Sequence, residues 1–288
     1  MDERTTRVTV VTDSAAALSQ DQIADHRLFV ARLEITIDGQ NHVDGPDGGL
    51  DDFYSKLADS TDVPTTSAPR PIEYLEHFRS AAESENDIFC VSVSARLSAA
   101  FDAAKVAAEL FADERPDVSV RVFDSDTAAS SQALIVLAAA RAAAAGGSLD
   151  EVEEVARNVA DNVRLVAMLE TLEFIHRSGR VPKIAVWITS GLNIKPVMEY
   201  STGMIGAIAR PRTVGKALIR IQREMTGDLA GKVAHVNVMH AGASERAEYL
   251  REWTAANFDC AELFVTQFHP FMGAHTGPGL VGASWWAE

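Results

Sequence analysis

The chain has 288 residues, 47% of them hydrophobic, with 41 acidic against 26 basic side chains and a formal net charge of −15. That is enough apolar material for one large domain or two ordinary ones, and too acidic for a phosphodiester backbone to be a general partner. No apolar run reaches the ~18 residues of a membrane helix, and the two cysteines, Cys90 and Cys260, stand far apart with no C-x-x-C, which argues against membrane-spanning, zinc and dithiol redox classes.

The opening "MDERTTRVTVV" is charged and turns directly into a strand pattern, not a signal peptide, so a cytoplasmic protein is expected. "RVTVV" (7–11) reads as a buried strand, and "TDS" (12–14) supplies capping side chains for a helix over "AAALSQDQIAD". Extended chain with turns at Asp38-Gly39 and Asp44-Gly45 follows over 28–45, then a short amphipathic helix over 50–60. "VPTTSAPRP" (63–71) reads as a rigid loop, leading into the helix "IEYLEHFRSAAES". Two further strand, polar turn and helix units come next: "DIFCVSV" (87–93) with "AAFDAAKVAAELFA", and "VSVRVF" (118–123) with the helix ended by Gly146-Gly147. This repeated grammar predicts a parallel sheet covered by helices.

The second half changes character. "LDEVEEVARNVADN" (149–162) is a charged surface helix on or near which a domain boundary is expected. Beyond it come a strand at "VRLVAML", a short helix at "TLEFIHRSG" ended by Gly179, and a hairpin turning at Ser201-Thr202-Gly203. A helix at "TVGKALIRIQREM", a strand at "KVAHVNVMH", a helix at "ASERAEYLREWTAAN" and a strand at "CAELFVTQF" complete an α+β layer. The expected architecture is α/β and two-lobed: an N-terminal parallel-sheet α/β domain over 1–155, and a C-terminal α+β domain with a mixed sheet over 156–288.

In an open parallel sheet, ligands bind outside the carboxyl ends of the strands, where helix N-termini favour an anion. Asp13-Ser14, Ser94 and Asp124-Ser125 are predicted at that edge, although each residue is also an ordinary helix cap. "PTTSAPRP" adds Thr65, Thr66 and Ser67 between prolines, three hydroxyls where capping needs one. Near the C-terminus, "GAHTGPG" sets His275 and Thr276 on a sharply turning loop. Its glycines continue into a G-x-G-x-x-G ending at Gly282, but too few residues follow for the βαβ unit that a dinucleotide fingerprint requires. "RPRTVGKAL" likewise lacks the earlier glycine of a P-loop, and no histidine cluster has zinc-ligand spacing. A hydrolase triad can be drawn from Ser94, His275 and Asp124, without the G-x-S-x-G elbow that usually presents the serine.

Taken in order, these stretches resemble the DegV family of bacterial fatty-acid-binding proteins. The resemblance is carried by "VTDSAAAL", "PTTSAPRP" for the family's T-S-Q-P loop, "VSVSARLSAAFDAA" for its S-S-x-L-S-G-T-Y segment, and "FDSDTAAS". "LEFIHRSGRV", "LNIKPVMEYSTGMI", "RPRTVGKAL" and "AHTGPG" extend it nearly end to end. It implies a long-chain fatty acid buried between or beneath two α/β lobes, its carboxylate held by Thr66, Ser67 and Ser94 near His275. It implies further that the acid is presented to a separate ATP-dependent fatty acid kinase by a binder that is not catalytic alone and needs no cofactor or metal. A monomer is expected. Where the family has the second serine of S-S-x-L-S, this chain has Ala95, so either Ser94 or Ser98 takes its place or the head group is held more weakly. G-T-Y is replaced by Ala99-Ala100-Phe101, and the glutamine of T-S-Q-P by Ala68. Arg180, Arg210 and Arg212, conspicuous in an acidic chain, are expected to form a basic rim at the mouth, docking the kinase or steadying transferring phosphate.

Overall fold

The computed structural model describes residues 7–46, 49–59, 64–84, 86–181, 194–201 and 204–288. In chain order the first elements are β1 (Val8–Asp13), α1 (Gln20–Asp25), β2 (Phe29–Ala31), β3 (Glu34–Ile37), β4 (Gln40–Val43), α2 (Leu50–Asp59) and β5 (Thr65–Ser67). Then come α3 (Pro71–Ala81), β6 (Asp87–Ser92), α4 (Ala100–Glu114), β7 (Val120–Asp124), α5 (Ala129–Ala144) and α6 (Leu149–Asn162). The second half contains β8 (Arg164–Met168), α7 (Glu173–Arg177), β9 (Val197–Ser201), β10 (Met204–Ala209) and α8 (Val214–Leu229). It ends with β11 (Val233–His240), α9 (Ser244–Asn257), β12 (Asp259–Gln267), α10 (Pro270–Thr276) and β13 (Val281–Ala287).

Three sheets result among the described residues. The expected parallel sheet runs β2-β1-β6-β7. A six-stranded mixed sheet runs β10-β9-β8-β13-β11-β12, with only β11 and β12 parallel. β9 and β10 form the expected hairpin; Thr202 and Gly203 of its turn lie outside the described residues. Helix α5 lies between these two sheets and touches both. Every residue from Ala129 to Ala140 is buried, as befits a helix apolar on all sides. The boundary expected at 155/156 falls inside α6, whose buried Leu149, Val152, Ala156 and Val159 pack into one core with β1, β6 and α5.

Local readings differ from expectation in three places. The helix expected over "AAALSQDQIAD" is two pieces: Asp13 caps one 3₁₀ turn, Ala17 turns left-handed at φ 53°, and Ser19 restarts the chain with a capping box to Gln22. The "rigid loop" at 63–71 contains β5, paired antiparallel with β3 in a third, small sheet ordered β4-β3-β5. The "sharply turning loop" at 273–279 is the last turn of α10, closed by Gly277, and the chain then enters β13 at the middle of the mixed sheet. Cys90 is buried and Cys260 half-buried, both as free thiols. Among the described residues, no helix is long and apolar enough to cross a membrane.

Candidate functional site

Strand alternation builds the floor of a cavity on one face of the mixed sheet. Met239, Gly282, Ala167, Met198 and Ala207 stand opposite one another across β11, β13, β8, β9 and β10. The next row on the same face is Asn237, Ser284, Leu165, Tyr200 and Ile205. Above Met239, Ala167, Met198, Leu165, Tyr200 and Ile205 lies a hollow of about 840 Å³, part of it open to solvent. Val93 and Leu97, the start of α5 at Ala129, Ile175 of α7, and Phe271 and Met272 of α10 close it from above. A second, more polar cleft of about 780 Å³ is lined by Thr66, Ser67, Ala95, Arg96 and Asp102 among others. The two share Leu97, Ser98, Arg180 and Phe271 as walls, so the polar cleft adjoins the apolar hollow, and we call it the mouth.

Two features set this mouth. Asp13, fully buried at the end of β1, accepts from the Val93 amide at 2.8 Å, Ser92 Oγ at 3.1 Å and Gln132 Nε2 at 3.0 Å. It thereby fixes the start of the segment 93–98 that runs along the cleft. Burial raises the Asp13 pKa, and these hydrogen bonds oppose the shift. Register is the second feature: Thr66 stands opposite the buried Ile35, so its side chain points inward while Thr65 and Ser67 are exposed.

Inward-pointing Thr66 meets the end of α10, where its Oγ1 lies 3.1 Å from His275 Nε2. Arg180 Nη2 donates to the same Oγ1 at 3.5 Å. Burial, helped by the Arg180 charge, pushes the His275 pKa down to about 4, so the ring is neutral at pH 7. The Phe271 ring packs edge-on against His275 at 5.0 Å. The start of α10 is fixed by Asp44, whose Oδ1 accepts from the Phe271 amide at 2.9 Å. Asp44 Oδ2 has no hydrogen-bond partner among the described residues, and burial pushes this carboxyl up to about 7.

The far end of α10 depends on glycine. Gly277 has φ 75° and ψ 166°, and a Cβ there would lie 2.2 Å from Phe174 Cδ2. Behind this turn, Glu170 accepts from Lys195 Nζ at 2.5 Å and Arg246 Nη1 at 2.8 Å, and Arg246 also reaches Gly279 O at 3.3 Å.

The residues expected at the site divide into groups. Thr66, Ser67, Ser98, Arg180 and His275 border the mouth or the hollow; Thr276 lines the hollow with its hydroxyl on Met272 O at 2.9 Å. Ser94 is fully buried, accepts from the Arg96 amide at 3.3 Å, and is in neither wall. Ser14 accepts from the Leu33 amide at 3.0 Å and borders a separate hollow with Arg32, His77 and His269. Asp124 receives the Ala95 and Asp126 amides, and Ser125 donates to Thr127 O at 3.2 Å. Arg210 and Arg212 are exposed between β10 and α8, outside both walls. Sequence reasoning did not single out Phe271 or Met272, for which the signal was the proline at 270 that opens α10, and it read Asp44 only as a turn residue before Gly45.

Chemically, the mouth offers a neutral imidazole, hydroxyls, and the guanidiniums of Arg96 and Arg180 with the carboxylate of Asp102, beside an apolar hollow. That suits a carboxylate attached to a hydrocarbon chain. Ser94, Asp124 and His275 make no hydrogen bond to one another among the described residues, so no triad is assembled. Among the described residues, no group of three His, Cys, Asp or Glu is placed to hold a metal ion.

Comparison with known proteins gives a consistent set of relatives. The family described as "Uncharacterised protein, DegV family" matches residues 7–288. A DegV domain-containing protein of Streptomyces coelicolor is 32% identical, with 96% of each chain covered. The solved structure described as fatty acid binding of a DegV family protein from Thermus thermophilus is 26% identical, with a TM-score of 0.90 over 98% of this chain and 100% of that one. A stearic acid-binding protein from Eubacterium ventriosum shares the fold at 23% identity, with a TM-score of 0.85 over 97% and 98% of the two chains.

Proposed function

Because this chain belongs to the DegV family, we propose that it binds a long-chain fatty acid in the apolar hollow and presents the carboxylate at the Thr66–His275–Arg180 mouth to a separate ATP-dependent fatty acid kinase. The observation that carries this reading is an apolar hollow that shares Leu97, Ser98, Arg180 and Phe271 as walls with a polar mouth. The fatty acid binding described for the Thermus thermophilus relative supports it.

The energetics agree with the division of labour. At ~0.8 kcal/mol per buried methylene, a C16 chain offers on the order of 11 kcal/mol gross, before the costs of association. The hollow therefore supplies affinity, while the mouth keeps the carboxylate hydrogen-bonded as it leaves water. Thr66 and Ser98 provide hydroxyls and Arg180 a charge-assisted donor. In this reading Arg210 and Arg212 form an outer basic surface for the kinase, and the protein acts as a cytoplasmic monomer that does no chemistry alone.

Organic extraction and mass spectrometry of the purified protein should yield roughly one equivalent of a C14–C18 acid, as one buried chain would fill one pocket. A lipid-free protein that also fails to take up palmitate or oleate overturns the binding reading. Binding without acyl phosphate formation, when a cognate kinase and ATP are added, overturns the presentation reading.

A further inference from the structure

Asn237 is fully buried, and neither its Oδ1 nor its Nδ2 has a hydrogen-bond partner among the described residues. A buried amide left unsatisfied on both sides is costly, so its retention calls for a partner. Its position in the sheet suggests one. Asn237 stands opposite Ser284, and that row continues through Leu165 and Tyr200, both walls of the apolar hollow. Two residues along β11, on the same face, Met239 is itself part of that wall.

Around Ser284 gather further polar groups from α5. Ser130 Oγ lies 2.6 Å from Ser284 Oγ, Ser131 Oγ donates to it at 2.9 Å, and Ser130 Oγ also reaches Met239 Sδ at 2.8 Å. All three serines are fully buried. A closed polar cluster thus sits directly behind Met239 and the Ala129 end of α5. It shares no residue with the mouth.

We propose that Asn237 and Ser284 form a subsite for a hydroxyl substituent on the acyl chain, so that the preferred ligand is a hydroxylated long-chain acid. This rests on the fatty-acid reading above and names a substrate class within it. One hydroxyl can meet both needs of the amide, donating to Asn237 Oδ1 and accepting from Nδ2. A methylene can meet neither. Met239 is the natural partition between hollow and subsite, because an unbranched thioether repacks readily. A site built to hydrogen-bond a substrate hydroxyl discriminates against the analogue lacking it, since its own polar groups are then left unpaired.

The test is a set of dissociation constants for the delipidated full chain with matched pairs. These are palmitic acid with its terminally hydroxylated form, and stearic acid with hydroxystearic acids substituted along the chain. At least one hydroxylated acid should bind about tenfold more tightly than its parent, the scale of one well-made hydrogen bond. Asn237→Leu and Ser284→Ala should each collapse that ratio. The comparison within the native protein stands even if either variant folds poorly. Equal or weaker binding of every hydroxylated acid relative to its parent overturns the subsite and leaves the fatty-acid reading intact. Failure of parents and hydroxylated acids alike overturns both.

Discussion

Thr66 Oγ1 and His275 Nε2, 3.1 Å apart, join the small three-stranded sheet to the last turn of α10 across the mouth of the hollow. If this pair holds the head group, Thr66→Val keeps the side-chain shape and removes the hydroxyl. Palmitate affinity should then fall about ten- to a hundredfold, the cost of one lost hydrogen bond to a charged group. Fluorescent fatty-acid displacement measures it directly. An unchanged dissociation constant would place the carboxylate elsewhere.

His275 should be neutral at pH 7 and titrate near pH 4, because burial first and the Arg180 charge second disfavour the imidazolium. Its ring resonances, followed by NMR against pH, report this midpoint. Arg180→Met removes the charge and should move the midpoint upward while leaving it below the ordinary histidine value.

Asp44 and His275 bias stability in opposite directions. The folded His275 pKa of about 4 lies below its unfolded value of 6.5, so its contribution is full above pH 6.5 and is lost as pH falls toward 4. The folded Asp44 pKa of about 7 lies above its unfolded value of 3.8, from burial and from the neighbouring Asp13 charge, with hydrogen bonds from Ser14 and Phe271 opposing. Its contribution is full below pH 3.8 and is lost as pH rises through 7. Each effect is at most about 3–4 kcal/mol. The native protein should therefore show a shallow pH profile of melting temperature between pH 4 and 7. In Asp44→Asn the melting temperature should rise with pH across that range, and in His275→Gln it should fall. Parallel profiles for all three proteins would refute the opposition.

Gly277→Ala should destabilise by about 3 kcal/mol or more. The residue occupies a backbone region open essentially to glycine alone, and a methyl there collides with the Phe174 ring. Since α10 carries Phe271, Met272 and His275, palmitate binding should weaken as well. Chemical denaturation and ligand titration on the one variant check both. A stable variant with native affinity would show that this turn does not position the helix.

The parallel sheet was legible because "RVTVV", "DIFCVSV" and "VSVRVF" are unbroken apolar runs followed by polar turns and helices. Thr66, Ser98, Arg180 and His275 were named from sequence, and the structure sets all four around one opening. Other features carried no periodic signal. β5 is three polar residues beside prolines, a strand only because β3 offers it an edge. α10 is a seven-residue helix too short for a clear period, its start held by Asp44 at the Phe271 amide and by Tyr54, which donates to Phe268 O just before it. Ser14, Ser94, Asp124 and Ser125 look identical in sequence to ligand hydroxyls or carboxylates. Their partners in the fold are backbone amides and carbonyls and, for Ser14, also the Asp44 carboxylate, which only the three-dimensional arrangement reveals.

The place of β13 in the mixed sheet has a consequence for how the protein is made. Among the described residues it is the thirteenth strand along the chain, yet it lies between β8 and β11 and is the only link joining β8, β9 and β10 to β11 and β12. On the ribosome, the parallel sheet can assemble while the second half is still being synthesised. The floor of the hollow cannot, because Met239 and Ala167 meet only across Gly282. Until that strand emerges, two sheet fragments wait with open edges, and their closure is a long-range, slow event. The nascent chain is thus without a closed hollow and most exposed to mispairing at the same moment, and both conditions end with one strand insertion.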